Sequence, residues 1–328
     1  MKLRTQFGMT LIELMVALAI GSFLMLGAMT VFVQSRTTFR VTESLSRMQE
    51  TGRLAFSIVE PDVRMAHYWG LTTLTSNITN RARPNAPPGI GIATTCGTNW
   101  KINLDEAVDG SNNSYGFGCA GKAPVETNSD TLIVRRASEV AETGGLTGAT
   151  TMRIQSVRGA ASSEIFVGTT IPGGFAAATS ETHRLIVNGY YVSRASSLGN
   201  GVPSLQVQSL QADGSILNQE VLPGIEDMQV QFGVDTDAPG TIDRGAIDRY
   251  INVNNPMIDP TNAAFNPNVE ILAVRIWFRV RAERPENGFR DTATYTYAGN
   301  LPVGPFNDAF RRVVISKTIY LRNARPSS

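Results

Sequence analysis

From Leu14 to Val33 the chain runs twenty residues without a charge, and one carboxylate, Glu13, stands at the front of that run. A stretch of this length crosses a hydrocarbon core of about 30 Å as an α-helix. A carboxylate this close to hydrocarbon costs about 2.5–3.5 kcal/mol on insertion scales and marks a functional position by default. Ahead of it lies a short basic leader, Met1 to Phe7, which carries Lys2 and Arg4 and runs up to Gly8. A secretory signal peptide would have a shorter apolar region followed by a small-residue cleavage site. This run is longer, bears Glu13, and has no convincing site of that kind behind it. A plain membrane anchor explains the apolar residues but neither Gly8 nor Glu13. Lys2, Arg4 and the amino terminus favour a cytoplasmic leader, and Arg36 and Arg40 on the far side weaken that bias.

The heptapeptide Gly8-Met9-Thr10-Leu11-Ile12-Glu13-Leu14 resembles the processing and assembly signal of type IV prepilins and type II secretion pseudopilins. The resemblance implies that a membrane peptidase cuts on the cytoplasmic side between Gly8 and Met9 and then N-methylates Met9, where the family usually has Phe. Residues 1–8 would then be a cleaved leader, and Glu13 would become the fifth residue of the mature chain. It further implies an assembly role for Glu13. When subunits pack with an axial step, a neighbour's terminal amine neutralises this carboxylate, a pair that low dielectric strengthens.

Past the span, Val41, Leu45, Met48, Gly52, Ala55, Val59 and Val63 recur in steps of four and three. That stripe predicts a helix continuing from 9–33, the transmembrane half, into 34–66, a periplasmic half. Pro61 is expected to end or kink it. The stretches Ser44 to Arg53 and Asp62 to Gly70 resemble PilW-like minor pilins, which are themselves similar to J-type pseudopilins. Pro61 and His67 depart from that pattern, which has a helix-compatible residue and Gly there. Pro223 to Asp237, Val274-Arg275, Arg311-Arg312 and Tyr320 to Asn323 extend the resemblance to the other end of the chain.

Residues 67–328 are expected to form a β-rich head. TLIVRR at Thr131 to Arg136, MRIQSV at Met152 to Val157, Glu164 to Val167, Arg184 to Arg194 and Leu205 to Leu210 read as strands. Asn188-Gly189 inside the fourth of these favours a tight hairpin or a bulge, and Asp213-Gly214 a turn. Ile271 to Arg281 alternates: Leu272, Val274, Ile276, Phe278 and Val280 face one way, Arg275, Trp277, Arg279 and Arg281 the other. Val313, Ile315, Ile319 and Leu321 repeat the pattern, and Thr292 to Tyr297 is a third candidate. No crossover helices separate these runs, so antiparallel pairing follows. The expected class is α+β: a long N-terminal transmembrane pilin helix followed by an antiparallel β-rich head.

Charged residues make up 17% of the chain, and the formal net charge is +1. That balance argues against a protein built to bind nucleic acid directly. It conceals a segregation, since residues 101–270 hold nineteen acidic against ten basic side chains, and residues 271–328 four against ten. The basic end is either a surface patch or the partner of the acidic middle. Two cysteines, Cys96 and Cys119, are expected to form a disulfide in an oxidising periplasm, worth about 3 kcal/mol in the chain-entropy model. The Gly- and Asn-rich segment between them, 96–119, reads as a loop with little core of its own.

The one cofactor candidate is calcium. Asp235, Asp237 and Asp243, with Gly240 at a turn, alternate as a hard cation would require, although the third Asp and the bidentate Glu of a full EF-hand loop are missing. A polar hairpin loop is the plainer reading. His67 and His183 are the only histidines, and neither lies in metal-ligand spacing or beside a nucleophile elbow. Paired carboxylates such as Glu226-Asp227 read as surface features, and Trp277 between Arg275 and Arg279 as an exposed strand face. The chain reads as a non-enzyme.

The resemblance implies a minor pilin that helps initiate type IV pilus assembly and sits near the tip, supporting twitching motility, adhesion and DNA uptake. The implied partners are the prepilin peptidase, other minor pilins, the major pilin, an adhesin-like tip protein and the inner-membrane assembly platform. The implied location is the inner membrane, single-pass with a periplasmic head, and then the cell surface. Two alternatives are a J-type pseudopilin of a type II secretion system and a membrane-anchored periplasmic binding or adhesion protein outside any filament.

Overall fold

A computed structural model describes residues 8–81, 100, 102–159, 162–176 and 178–324. One helix, α1 (Leu11–Met65), runs through two compact units, Met1–Arg47 and Met48–Ser328. In the first unit every described residue up to Arg40 is exposed, and this is the helix long and apolar enough to cross a membrane. Its hydroxyls turn back onto the helix rather than outward. Ser22 Oγ donates to the Ala19 carbonyl and Thr30 Oγ1 to that of Gly27, each at 2.8 Å. Such back-bonding satisfies polar groups that an apolar surrounding could not.

The second unit holds two sheets. The larger joins β1 (Ile78–Thr79), β5 (Ser163–Val167), β4 (Met152–Val157), β6 (Ser180–Ser196), β3 (Thr131–Ala137) and β2 (Val108–Ser111) in that order. β7 (Gly199–Leu210) pairs with β6 and with β8 (Ile216–Pro223). The smaller sheet has the order β10 (Arg249–Asn252), β9 (Ile225–Asp235), β11 (Glu270–Arg281), β12 (Arg312–Tyr320). Apart from β1 with β5, the pairs are antiparallel.

Within this unit the helix stripe does what its spacing implies. Met48, Gly52, Ala55, Phe56, Val59 and Val63 are buried, with Phe56 against Phe278 of β11 at 4.9 Å between ring centroids. Gly52 permits the close approach. A Cβ there would lie 2.5 Å from Ile315 Cδ1 and 3.5 Å from Val280 Cγ2. Gly52→Leu is therefore expected to destabilise the head by about 1–3 kcal/mol through overpacking. Gly52→Ala, which displaces only the mobile end of Ile315, should cost clearly less. Denaturant melts of the full chain in detergent micelles check the order of the two.

Three expectations need correction. Pro61 does not end the helix, which continues to Met65. Asp62, the next residue, is bonded into the larger sheet, and that contact holds the last turn in place despite the missing amide donor. Asn188-Gly189 is neither a hairpin nor a bulge, because β6 passes straight through it, paired in register with β3 and β7. Gly189 is there for room: a Cβ would meet the Phe117 ring at 2.9 Å and Trp100 at 3.1 Å. Thr292 to Tyr297 forms no strand, only a single bridge from Tyr295 to Val303.

The cysteine region is better cored than its composition suggests. Trp100, Tyr115 and Phe117 gather with Tyr191, the Tyr115–Tyr191 centroids lying 5.1 Å apart and those of Tyr115 and Phe117 5.2 Å apart. The Tyr115 hydroxyl donates to the Cys119 carbonyl at 2.7 Å. Cys119 is not a free thiol. Cys96 lies outside the described residues, so the Cys96–Cys119 bridge stays an expectation.

Candidate functional site

At the N-terminus, Gly8 and Met9 precede the helix and are exposed. Thr10 and Glu13 close a capping box. Glu13 Oε2 accepts from the Thr10 amide and from Thr10 Oγ1, both at 3.0 Å, and the Glu13 amide donates back to Thr10 Oγ1 at 3.4 Å. This reciprocal pair satisfies two helix-terminal donors and fixes the carboxylate one turn from Met9. The T-x-x-E spacing from Thr10 to Glu13 that builds it is a sequence-level signal of a helix start.

The acidic loop after β9 brings together Asp235, Asp237 and Asp248, each offering a carboxylate oxygen within 4.8 Å of the others. Asp243 is not one of the three. The physical reason is strand pairing: β10 folds back on β9 with Arg249 opposite Val234, which delivers the residue before it, Asp248. Asp235 is buried and spends both oxygens on the chain, accepting from the amides of Asp237 at 2.8 Å and Gly245 at 2.5 Å. Asp248 Oδ2 accepts from the Thr236 amide at 2.7 Å and from its hydroxyl at 2.6 Å. Desolvation, and then Asp243, Asp248 and Asp235, push the Asp237 carboxyl above its usual range. A divalent ion could use this cluster, and nothing in the geometry selects calcium.

Glu226 and Asp227 are not surface features. Both are buried, on the face of β9 that residues 291–308 cover. Arg312 grips Glu226 with two nitrogens, Nε at 2.6 Å and Nη2 at 3.0 Å, and also reaches Asp291 at 2.8 Å and Asp308 at 2.7 Å. Arg279 donates to Glu226 at 3.0 Å and to the Tyr297 hydroxyl at 2.7 Å, and that hydroxyl donates to Asp227. Burial alone would raise the Glu226 carboxyl, yet bonds and charge from Arg312 and Arg279 hold it below its ordinary value. Part of the basic C-terminal segment is thus the internal partner of acidic residues in the middle. The row around Trp277 splits accordingly. Arg279 turns into this network, whereas Arg275 stacks on Tyr250 at 3.6 Å and lies 5.8 Å from Trp277.

The helix end is tied down by Asp62. Arg136 donates to Asp62 Oδ1 from Nε at 2.9 Å and Nη2 at 2.8 Å, while Asn188 at 2.6 Å and Tyr190 at 2.7 Å donate to Oδ2. His67, two residues past the helix, has φ of 63°, a left-handed conformation that glycine takes most readily. This is the position where the resembling sequences have Gly. Burial pushes His67 down to about 4, so it is neutral at pH 7. His183 is a packed histidine, its Nδ1 2.9 Å from the Ser138 carbonyl oxygen and its Nε2 3.2 Å from Glu181.

Residues 189–323 match the family model of the type IV pilus-assembly protein W, and residues 3–29 match the prokaryotic N-terminal methylation motif. Among solved structures, a type IV-like pilin from Thermus thermophilus is 14% identical, with 87% of this chain and 100% of that chain covered at a TM-score of 0.36. No curated protein matches the chain.

Proposed function

We propose that this chain is a PilW-like minor pilin, a structural protein of the type IV pilin family that works with the pilus assembly machinery, helps initiate the filament and ends near its tip; the family models matched by residues 189–323 and 3–29 support the reading. The observation that carries this reading is the N-terminal helix. From Leu11 to Arg40 it is exposed all round and apolar over most of its length, with one locally capped carboxylate at Glu13. Such a surface needs lipid before assembly and neighbouring helices afterwards.

The prepilin peptidase cuts between Gly8 and Met9 and methylates Met9, with the leader in the cytoplasm and the head in the periplasm. Cys96 and Cys119 join there. Once in the filament, Glu13 exchanges its bond to Thr10 for the terminal amine of a neighbouring subunit. The partners are the other minor pilins, the major pilin, an adhesin-like tip protein and the inner-membrane platform. Twitching motility, adhesion and DNA uptake follow from the pilus rather than from chemistry in this head.

Glu13→Ala is expected to leave the amount of membrane-held protein near wild type and to remove nearly all of it from sheared filaments. Immunoblots of membrane and sheared fractions read both. Normal incorporation of the variant would rule out the assembly role of Glu13.

A further inference from the structure

The head contains a cavity of about 670 Å³, bounded by the chain after α1, the segment leading into β2, the β10–β11 connection and the residues after β12. Its volume is in the range of binding sites for small ligands and short peptides, about 300–1,000 Å³. Phe232, Val253, Ile258 and Phe265 supply an apolar floor. Five carboxylates, Asp105, Glu106, Asp109, Asp259 and Glu270, complete the wall, and no Lys or Arg lines it among the described residues.

Three of the five are offset from behind, Asp105 by Arg81 at 2.8 Å, Asp109 by Arg135 at 3.7 Å and Glu270 by Arg244 at 2.9 Å. Glu106 and Asp259 instead meet neutral donors. Glu106 Oε2 accepts from Asn103 Nδ2 at 2.7 Å, and Asp259 Oδ1 accepts from the Thr261 amide at 2.9 Å and hydroxyl at 2.7 Å. We propose that this cavity docks a segment of a partner protein in which a lysine or arginine stands next to an apolar residue. The cationic group sits between Glu106 and Asp259, and the apolar neighbour lies against Phe265 and Ile258.

The volume exceeds what one side chain fills, which favours a peptide over a lone amine. The mix of charge and grease is complementary to a basic-apolar pair and unsuited to an anion. Glu106 fits the role. Burial first, and then Asp109, Asp259 and Asp105 against the pull of Arg135, push it up to about 7. An entering cation would favour its ionised form, so binding should weaken as pH falls from 8 to 6. His67, the remaining titratable group on the wall, stays neutral over that range.

The test is calorimetric titration of the full chain in detergent micelles with acetyl-Leu-Arg-Leu-amide, acetyl-Leu-Gln-Leu-amide and agmatine. The arginine peptide is expected to bind at least tenfold tighter than the glutamine peptide and tighter than agmatine. Glu106→Gln and Asp259→Asn keep the carbonyl acceptors that Asn103 and Thr261 use. Each should lose about tenfold for the arginine peptide while the melting curve stays near wild type. Equal affinity for the two peptides, no binding of either, or unchanged affinity in both variants would overturn the proposal. So would agmatine binding as tightly as the peptide, which would make this a site for a free amine. Binding that appears only in a chain ending at Ala324 would also overturn it, because the chain's own last residues would then be the occupant. The two-peptide comparison on the unmodified chain decides the question even if a variant fails to fold. The proposal does not depend on filament membership, so its failure would leave the assembly role untouched.

Discussion

Arg312→Ala should unfold the head or leave it barely stable, at a cost of about 3–5 kcal/mol or more. The side chain is almost wholly buried, at 1% exposure, and so are its acceptors Glu226 and Asp291, at 9% and 2%. Removing the guanidinium does not simply delete hydrogen bonds. It leaves two carboxylates shut away from water, with Arg279 able to serve only Glu226 and Asp227. Arg312→Lys restores a charge but not the flat fork that spans Glu226 at 2.6 and 3.0 Å, so it should recover less than half of the loss. The Phe306 ring, whose centroid is 3.9 Å from the Arg312 guanidinium carbon and 4.9 Å from that of Arg279, loses the nearer of its two stacked guanidinium groups in both variants. Denaturant unfolding followed by tryptophan fluorescence measures the effect. A midpoint within error of wild type for Arg312→Ala would show that the network is not what holds residues 291–308 onto β9.

The second large effect is expected at Asp62. This one carboxylate accepts four bonds from three side chains on two strands, from Arg136 of β3 and from Asn188 and Tyr190 of β6. Asp62→Ala strands a guanidinium that is 11% exposed and a tyrosine hydroxyl buried beside it, again about 3–5 kcal/mol against a typical domain stability of about 5–15 kcal/mol. Asp62→Asn keeps one oxygen acceptor, and its cost should fall between those of Ala and wild type. The two substitutions differ in where the damage starts. Arg312→Ala should first loosen the smaller sheet, whereas Asp62→Ala should first free the last helical turn and the His67 region from the larger one. Amide exchange at Val59–Ala66 compared with Val313–Ile319 separates them. Equal protection of both segments in both variants would contradict this account.

How far the sequence foretold this molecule can be judged residue by residue. The helix was legible because its apolar stripe repeats at the helical period over many turns, and β3, β4 and β11 because they alternate or run apolar between turn signals. Ile225–Asp235 escaped assignment as a strand because Glu226, Asp227, Gln229 and Gln231 look like a solvated face. They are covered by a segment 60 to 80 residues downstream, and no local pattern reports that. Asn188-Gly189 carried a strong turn signal for the wrong reason, since Gly189 makes space for Phe117 and Asn188 bonds Asp62. Pro61 signalled an end or a kink, and only the end is overturned, because helix propensity is local while the bonds that keep the last turn reach strands far along the chain. In the acidic loop, Asp235 and Asp237 were identified from spacing, but Asp248 became a neighbour only through the register of β10 on β9. The cavity left no trace in the sequence, because its lining comes from five separated segments.

Intact mass spectrometry of the chain purified from cells with and without prepilin peptidase bears most directly on the central claim, that this is a processed filament subunit. The account predicts that, with the peptidase present, the chain starts at Met9 with one added methyl group, eight residues shorter than the precursor, and with Cys96 joined to Cys119 until reductant is added. Without the peptidase it should start at Met1 and carry no methyl group. The same mass from both cells would contradict the account, whatever the head then proved to bind.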